Sequence, residues 1–192
     1  MAKNLFIADT HFGHKNILTF DKNLPFETIE EYDNVLINNW NAATDYNDHV
    51  YILGDFSWYN ATKTTEILKS LNGVKHLILG NHDEKFLRNK DVKFQFETIN
   101  NYLELPYGEG AIILCHYPII SYKNHYYPNY YALYGHVHDT WEEQLTRQSI
   151  KAMWKAGKRC KAYNCGAMID YMNFTPQTFE HIKTLGDEKY AI

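Results

Sequence analysis

Five short apolar runs punctuate the chain, and each hands over to polar residues at its C-terminal end. Leu5-Phe6-Ile7-Ala8 leads into Asp9-Thr10-His11, Val50-Tyr51-Ile52-Leu53 into Gly54-Asp55, and Leu77-Ile78-Leu79 into Gly80-Asn81-His82-Asp83. Ala111 to Cys115 delivers His116, and Ala132-Leu133-Tyr134 delivers Gly135-His136-Val137-His138. Each run reads as a buried strand passing polar residues to the loop at its end. In open α/β sheets ligands sit at the carboxyl ends of strands, so five such strands describe one site assembled from the whole chain.

Helical periodicity fills the gaps between the first runs. Thr28 followed by Glu31 has the form of a capping box, and Ile29, Tyr32, Leu36, Trp40 and Ala43 recur at helical spacing. This predicts an amphipathic helix covering a sheet. Ile67, Leu68 and Leu71 mark a second helix, which Gly73 can end in a left-handed conformation. The order β-α-β-α-β implies parallel strands joined by right-handed crossovers. From about residue 99 the helical periodicity fades, and short runs at Tyr102 to Leu105, Ala111 to Cys115, Ala132 to Tyr134 and Ala162 to Asn164 predict a more β-rich second half.

Composition bounds the picture. With 192 residues, 45% of them hydrophobic and 16% aromatic, the chain can bury one sizeable core, and a single domain over 1–192 is expected. No linker, repeat or low-complexity tract interrupts it. No apolar stretch approaches the roughly 20 residues of a membrane helix, and no signal-peptide core precedes the first strand, so a cytoplasmic protein without membrane partners is expected. Cys115, Cys160 and Cys165 are odd in number and in no metal-binding spacing, which fits a reducing compartment. A net charge of -4 argues against a protein built mainly to bind duplex nucleic acid, which needs a broad basic surface.

The strand-end residues Asp9, His11, Asp55, Asn81, His116, His136 and His138 offer two carboxylates, one amide oxygen and four imidazoles. Such a mixed set suits Mn, Fe, Zn, Co or Ni, whereas Mg and Ca prefer all-oxygen shells. Seven donors are too many for one ion with an open position. With Asp55 bridging, each of two ions receives four and keeps room for water, forming a clamp that acidifies a water and neutralises the oxygens of a phosphate ester. Two cations would also draw an anionic substrate despite the negative net charge.

Asp-x-His, Gly-Asp, Gly-Asn-His-Asp, a lone His and Gly-His-x-His, in this order, resemble the calcineurin-like metallophosphoesterase superfamily from Lys3 to about Ile182. The resemblance implies an α/β fold in which two mixed β-sheets pack as a sandwich flanked by helices. It also implies two divalent metal ions, with Mn foremost and Fe, Zn, Ni or Co as alternatives. Asp9, His11, Asp55 and His138 would hold the first, and Asp55, Asn81, His116 and His136 the second. His82 would be the catalytic acid or transition-state stabiliser. Tyr163-Asn164-Cys165-Gly166, then Asn173-Phe174-Thr175-Pro176 and a last short helix, look like the closing elements of small bacterial and phage members.

One departure narrows the substrate. Protein phosphatases of the superfamily carry an Asp three residues after the Gly-Asp aspartate and then an Arg, where this chain has Trp58 and Tyr59. Protein phosphatase activity is therefore not expected, and His82 lacks its usual carboxylate partner unless Asp83 replaces it. His14, after Gly13, reads either as a substrate-phosphate donor folded over the metals or as a surface residue. Tyr117, Tyr122, Tyr126, Tyr127, Tyr130, Tyr131 and Tyr134 read either as a wall on which a nucleobase stacks or as a loop fixed by its own rings. Tyr117, beside His116, is a candidate substrate contact. Arg147, Lys151, Lys155, Lys158, Arg159 and Lys161 read as a solvated helix face or a phosphate-tracking strip. His49, His76, His125 and His181 lie outside the motifs as ordinary histidines.

The expected function is hydrolysis of a phosphate ester, a nucleotide-like or cyclic diester ahead of a monoester or a nucleic-acid end. A non-catalytic binding module is the rival of another class. Oligomeric state is open.

Overall fold

The computed structural model describes residues 2–20 and 24–190. In chain order the elements are β1 (Asn4–Ile7), α1 (Ile17–Phe20), α2 (Ile29–Ala43), β2 (His49–Leu53), α3 (Ala61–Ser70), β3 (Val74–Ile78), α4 (Glu84–Leu87) and α5 (Lys90–Lys93). They continue with β4 (Thr98–Asn100), β5 (Tyr102–Tyr107), β6 (Gly110–Cys115), β7 (Tyr130–Tyr134), α6 (Trp141–Lys155), β8 (Ala162–Asn164), β9 (Gln177–Thr178) and α7 (Phe179–Tyr190). One sheet has the order β4-β3-β2-β1-β9, the other β5-β6-β7-β8. Strands β1 to β4 are parallel, as helical crossovers require, and β9 adds an antiparallel edge. In the second sheet β6, β7 and β8 are parallel and β5 pairs antiparallel with β6. Both sheets are thus mixed.

Successive side chains on a strand point to opposite faces, and this alternation builds three apolar layers. Leu5, Ile7, Val50, Ile52 and Leu77 face Tyr32, Leu36 and Trp40 of α2 and Ile67 and Leu68 of α3. Phe6, Tyr51, Leu53 and Ile78 point the other way, onto Ile112, Leu114, Leu133 and Tyr163 of the second sheet and Phe179 and Ile182 of α7. The outer face of the second sheet, with Ile113, Ala132, Tyr134 and Ala162, packs on Ile150, Met153 and Trp154 of α6. The result is an αββα sandwich. Residues 165–167 stitch the sheets together at the site end. Ala8 N–H donates to Cys165 O (2.8 Å), Ala167 N–H to Ala8 O (2.8 Å), and Cys165 N–H to Tyr134 O (2.8 Å).

Helix α2 opens with the expected capping box, Glu31 N–H donating to Thr28 Oγ1 (3.2 Å) and Thr28 N–H to Glu31 Oε2 (3.3 Å). Helix α3 ends differently from expectation. Its C-cap is the extended Leu71, and the left-handed Gly73 (φ +86°) belongs to the turn into β3. Helix α6 lies in the half expected to be β-rich, over the stretch read either as a solvated helix face or as a phosphate-tracking strip. Its buried positions include Glu143 and Arg147 beside Ile150, so burial at helical spacing is partly polar and leaves little apolar period to read. Arg147 therefore leaves the basic strip. It donates through Nε to Glu143 Oε1 (2.7 Å), through Nη1 to Ala162 O (2.8 Å) and through Nη2 to Tyr134 Oη (2.6 Å). Lys161 leaves it too, its ammonium donating to Tyr127 O (3.1 Å) and Pro128 O.

Among the described residues, no helix is long and apolar enough to cross a membrane.

Candidate metal centre

The loops at the C-terminal ends of β1, β2, β3, β6 and β7 converge at one end of the sandwich, and their backbones are unusual there. Asp9 (φ +52°), His11 (+49°), Asp55 (+53°), His136 (+70°) and His138 (+48°) are all left-handed. A non-glycine residue pays steric strain in this region, and strain of this kind concentrates at functional sites. Gly135 is required for another reason. A Cβ there would lie 2.5 Å from both Ala8 Cβ and Asp9 Oδ2, so the bare backbone lets the His136 loop close on Asp9.

Two groups of donors form. Asp9, His11 and His138 bring ligand atoms within 4.8 Å of one another, and so do Asp55, His116 and His136. His116 links them, with Nδ1 3.9 Å from Asp9 Oδ1 and Nε2 3.7 Å from Asp55 Oδ2. Asn81 places Oδ1 3.1 Å from His116 Nε2. All seven residues singled out from the strand ends thus gather at one place.

The electrostatics of this cluster call for a cation. Burial pushes the Asp9 carboxyl well above its ordinary range, and the nearby Asp55 carboxylate adds to the shift; burial likewise raises Asp55. Burial pushes the His11 imidazole well down, helped by His138, and brings His116 to about 4. Neutral imidazoles are the metal-binding form. Asp9 Oδ1 and His11 Nδ1 are buried with no hydrogen-bond partner among the described residues, and His11 Nε2 sits 3.2 Å from His138 Nε2. A buried acceptor without a donor is rare in folded proteins, and a divalent ion would satisfy Asp9 Oδ1. The carboxylate and imidazole donors present fit such an ion.

Supporting contacts fix the donors. His116 Nδ1–H donates to Leu53 O (2.8 Å), the tautomer that leaves its Nε2 lone pair facing Asp55 and Asn81. Asp9 Oδ2 accepts from His136 N–H (2.9 Å), and Asp55 Oδ1 from His82 N–H (3.0 Å). Two supports were not evident from sequence. Asp83 turns away from His82 and accepts three backbone N–H groups, from Gly80 (2.8 Å), Asp55 (3.1 Å) and Phe56 (2.9 Å). Asp83 therefore splints the Gly-Asp loop to the Gly-Asn-His-Asp loop and does not orient the His82 imidazole. Asn164 donates from Nδ2 to His138 O (3.0 Å) and to Glu143 Oε2 (3.3 Å). Its place in the closing strand carried no signal of this contact.

The remaining candidates lie on two sides. His82 packs on Trp58 with ring centroids 4.5 Å apart, and Trp58 also meets His11 (4.5 Å) and His14 (4.2 Å, interplanar 18°). The left-handed Gly13 (φ +76°) makes the turn that brings His14 back to this position. On the other side Tyr117, 44% exposed, packs edge-on against His116 (5.0 Å) and His136 (4.8 Å). The tyrosine-rich segment divides. Tyr122 and Tyr134 are buried and hydrogen-bonded, whereas Tyr126 and Tyr127 are exposed and pack on each other at 4.7 Å. Of the outlying histidines, His76 pairs with His49 (2.9 Å), while His125 and His181 donate to the carbonyls of Tyr122 and Tyr171.

An αββα sandwich whose strand ends gather two neighbouring carboxylate and imidazole groups is the architecture of a metal-dependent phosphoesterase. The chain belongs to the calcineurin-like phosphoesterase family, whose model matches residues 2–164. It is 38% identical over 140 residues to an uncharacterized protein of Methanocaldococcus jannaschii, covering 72% of this chain and 70% of that protein. It is also 29% identical over 138 residues to the gene 66 protein of Mycobacterium phage L5, covering 63% of this chain and 66% of that one. A protein of unknown function from Aquifex aeolicus has a similar solved structure, with a TM-score of 0.72, 26% identity, and coverage of 96% of this chain and 100% of that chain.

Proposed function

We propose that the protein hydrolyses a phosphodiester of nucleotide-like character, with Asp9, His11, Asp55 and His138 holding one divalent ion and Asp55, Asn81, His116 and His136 a second. The observation that carries the reading is the pair of adjacent Asp/His groups, in the first of which Asp9 Oδ1 is buried and unsatisfied among the described residues. Two ions bound there would acidify an attacking water and neutralise the phosphate oxygens. The chain's own residues do the rest. Asp9 ties the first group to the second by accepting from His136 N–H, and Asp55 holds the loop of Asn81 and His82 by accepting from His82 N–H. His82, half-buried and packed on Trp58, would protonate the departing alkoxide. Tyr117 offers an exposed ring face to a base or sugar.

The arginines favour a diester. A dianionic terminal phosphate is commonly gripped by a bidentate guanidinium. Of the three arginines, Arg147 is buried in its own network, Arg159 lies over Trp154, and Arg88 lines a separate cleft with Leu79, Glu84, Leu87, Lys93 and Ile99.

Metal-stripped protein reloaded with Mn, Ni, Zn, Co or Mg, and assayed on matched chromogenic diester and monoester substrates beside Asp55→Asn, tests this. Metal-restored turnover that favours the diester and disappears in Asp55→Asn is expected. Turnover confined to the monoester would overturn the substrate class, and two bound ions with no turnover on any ester would overturn the enzyme.

A further inference from the structure

One indole touches three imidazoles of the candidate centre. Trp58 stacks on His14 at 4.2 Å and meets His82 and His11 at 4.5 Å each. The loop that carries Trp58 is zipped to the loop that carries His14. Trp58 N–H donates to Phe12 O (2.8 Å), and Phe12 N–H donates to Phe56 O (3.0 Å). A buried carboxylate closes the zip from outside. Asp33 of α2 accepts from Gly13 N–H through Oδ1 (3.1 Å) and from Tyr59 Oη–H through Oδ2 (2.8 Å). The Tyr59 ring fills the space over Gly13, where a Cβ would lie 2.5 Å from it. Asp33, Tyr59 and Trp58 belong to none of the five strand-end motifs, yet the loop they brace presses the Trp58 ring against His14 and His82.

We propose that Trp58, held by the Asp33 and Tyr59 latch, is a positioning residue that fixes His14 and His82 as paired hydrogen-bond donors to the substrate phosphate and its leaving oxygen. The inference rests on the phosphoesterase reading above. The physical reason is orientation. An imidazole on two free rotors spends little time aimed at a reacting oxygen, and contact with a broad aromatic face restricts both rotors at once. Asp83, the neighbouring carboxylate, does not do this for His82, because it accepts from three backbone N–H groups. A cavity of about 30 Å³ beside the rings, lined by Ser57, Trp58, Tyr59, His82 and Lys85, holds little more than one water.

The test compares Trp58→Ala, Trp58→Phe, Tyr59→Phe, His14→Ala and the Trp58→Ala/His14→Ala double variant. Each is measured for bound metal, for kcat and KM on a chromogenic phosphodiester, and for the imidazole proton signals of the metal-free protein. Trp58→Ala should keep two ions and a KM within about threefold while kcat falls roughly tenfold to hundredfold, less than the roughly hundredfold to ten-thousandfold of a proton donor removed outright, because the imidazole is still present. Trp58→Phe should restore most of kcat, and Tyr59→Phe, which removes one hydroxyl, should show a smaller loss of the same kind. Adding His14→Ala to Trp58→Ala should cost little more, since residues acting as a unit are non-additive. The ring-current shift on the His14 protons should vanish in Trp58→Ala. Multiplying penalties, no advantage of Phe over Ala, or unchanged His14 signals would each overturn the proposal. Wild-type protein that binds metal and cleaves no ester would instead fail the phosphoesterase reading, and the His14 signals would still decide whether Trp58 holds that ring.

Discussion

Asp83 accepts three backbone N–H groups that belong to two different site loops, so Asp83→Ala strands three buried donors at once. Each unsatisfied donor costs about 1–3 kcal/mol, and a loss of about 3 kcal/mol or more in urea unfolding is expected, with metal content falling as the loops separate. Asp83→Asn should cost less. It keeps one acceptor oxygen and sets an amide N–H₂ against one backbone donor. Equal stabilities for Ala and Asn would show that the three hydrogen bonds contribute little. The sequence placed Asp83 beside His82 and so suggested it as the partner of that imidazole. Neighbours in a turn point where the backbone sends them, and that direction is not written in residue order. The donors themselves were legible because their types, Asp, Asn and His at strand ends, are dictated by metal chemistry. Their supports, Asp83, Asn164, Asp33 and Tyr59, were not, because any hydrogen-bonding residue at the right distance can serve.

Helix α6 gives the same contrast at the scale of an element. Its inward face is built from Glu143, Arg147 and Ile150, and the ion pair is satisfied by Tyr134, Asn164 and Ala162 O. Removing one partner of a buried pair leaves an uncompensated charge, so Arg147→Ala should destabilise the fold by about 3–5 kcal/mol. Lys151→Ala and Lys155→Ala, on the exposed face, should stay within about 0.5 kcal/mol. Similar losses at all three sites would return Arg147 to the solvated strip that charge spacing suggested. The parallel strands were readable for the opposite reason. β1, β2 and the Leu77–Ile78 end of β3 are buried and read as apolar runs, whereas α6 buries charge and β9 is two residues long. Strand β3 also carries a pH-sensitive histidine. His76, stacked on Tyr51 at 4.6 Å and bonded to His49 and Thr98 Oγ1, has its pKa lowered by burial and then by His49, with Glu97 opposing. A base with a depressed folded pKa stays neutral in the native state while the unfolded chain takes up the proton. Its stability is therefore full above about 6.5 and declines as pH falls through the folded value. Tm should drop less between pH 7.5 and 5.5 in His76→Gln than in the wild type; identical drops would exclude His76 as a source of acid sensitivity.

Across the whole molecule, the candidate donors come from the ends of five strands in two sheets, so ions bound there cross-link both halves of the sandwich. Binding to the folded state alone stabilises it by about 2.7 kcal/mol at a hundredfold excess over Kd, which for a chain of this size is about 5–10 °C in Tm per ion. Chelation should reverse that rise, and Asp55→Asn should shrink it. Asp9→Asn provides the sharper comparison, because the two states should respond with opposite signs. Without metal, the Asp9 carboxyl is raised by burial and by Asp55, and Oδ1 has no partner among the described residues. An acid whose folded pKa is raised loses stability as pH rises through that value, so its charge is a liability in the metal-free protein at neutral pH. Replacing it with the neutral amide should leave the metal-free Tm unchanged or higher, since Oδ1 of Asn can still accept from His136 N–H. With metal present the same substitution removes an anionic ligand, and Tm should fall below that of the loaded wild type. Equal losses in both states would mean that Asp9 serves the His136 loop as a structural acceptor and that its burial is not held in readiness for a cation.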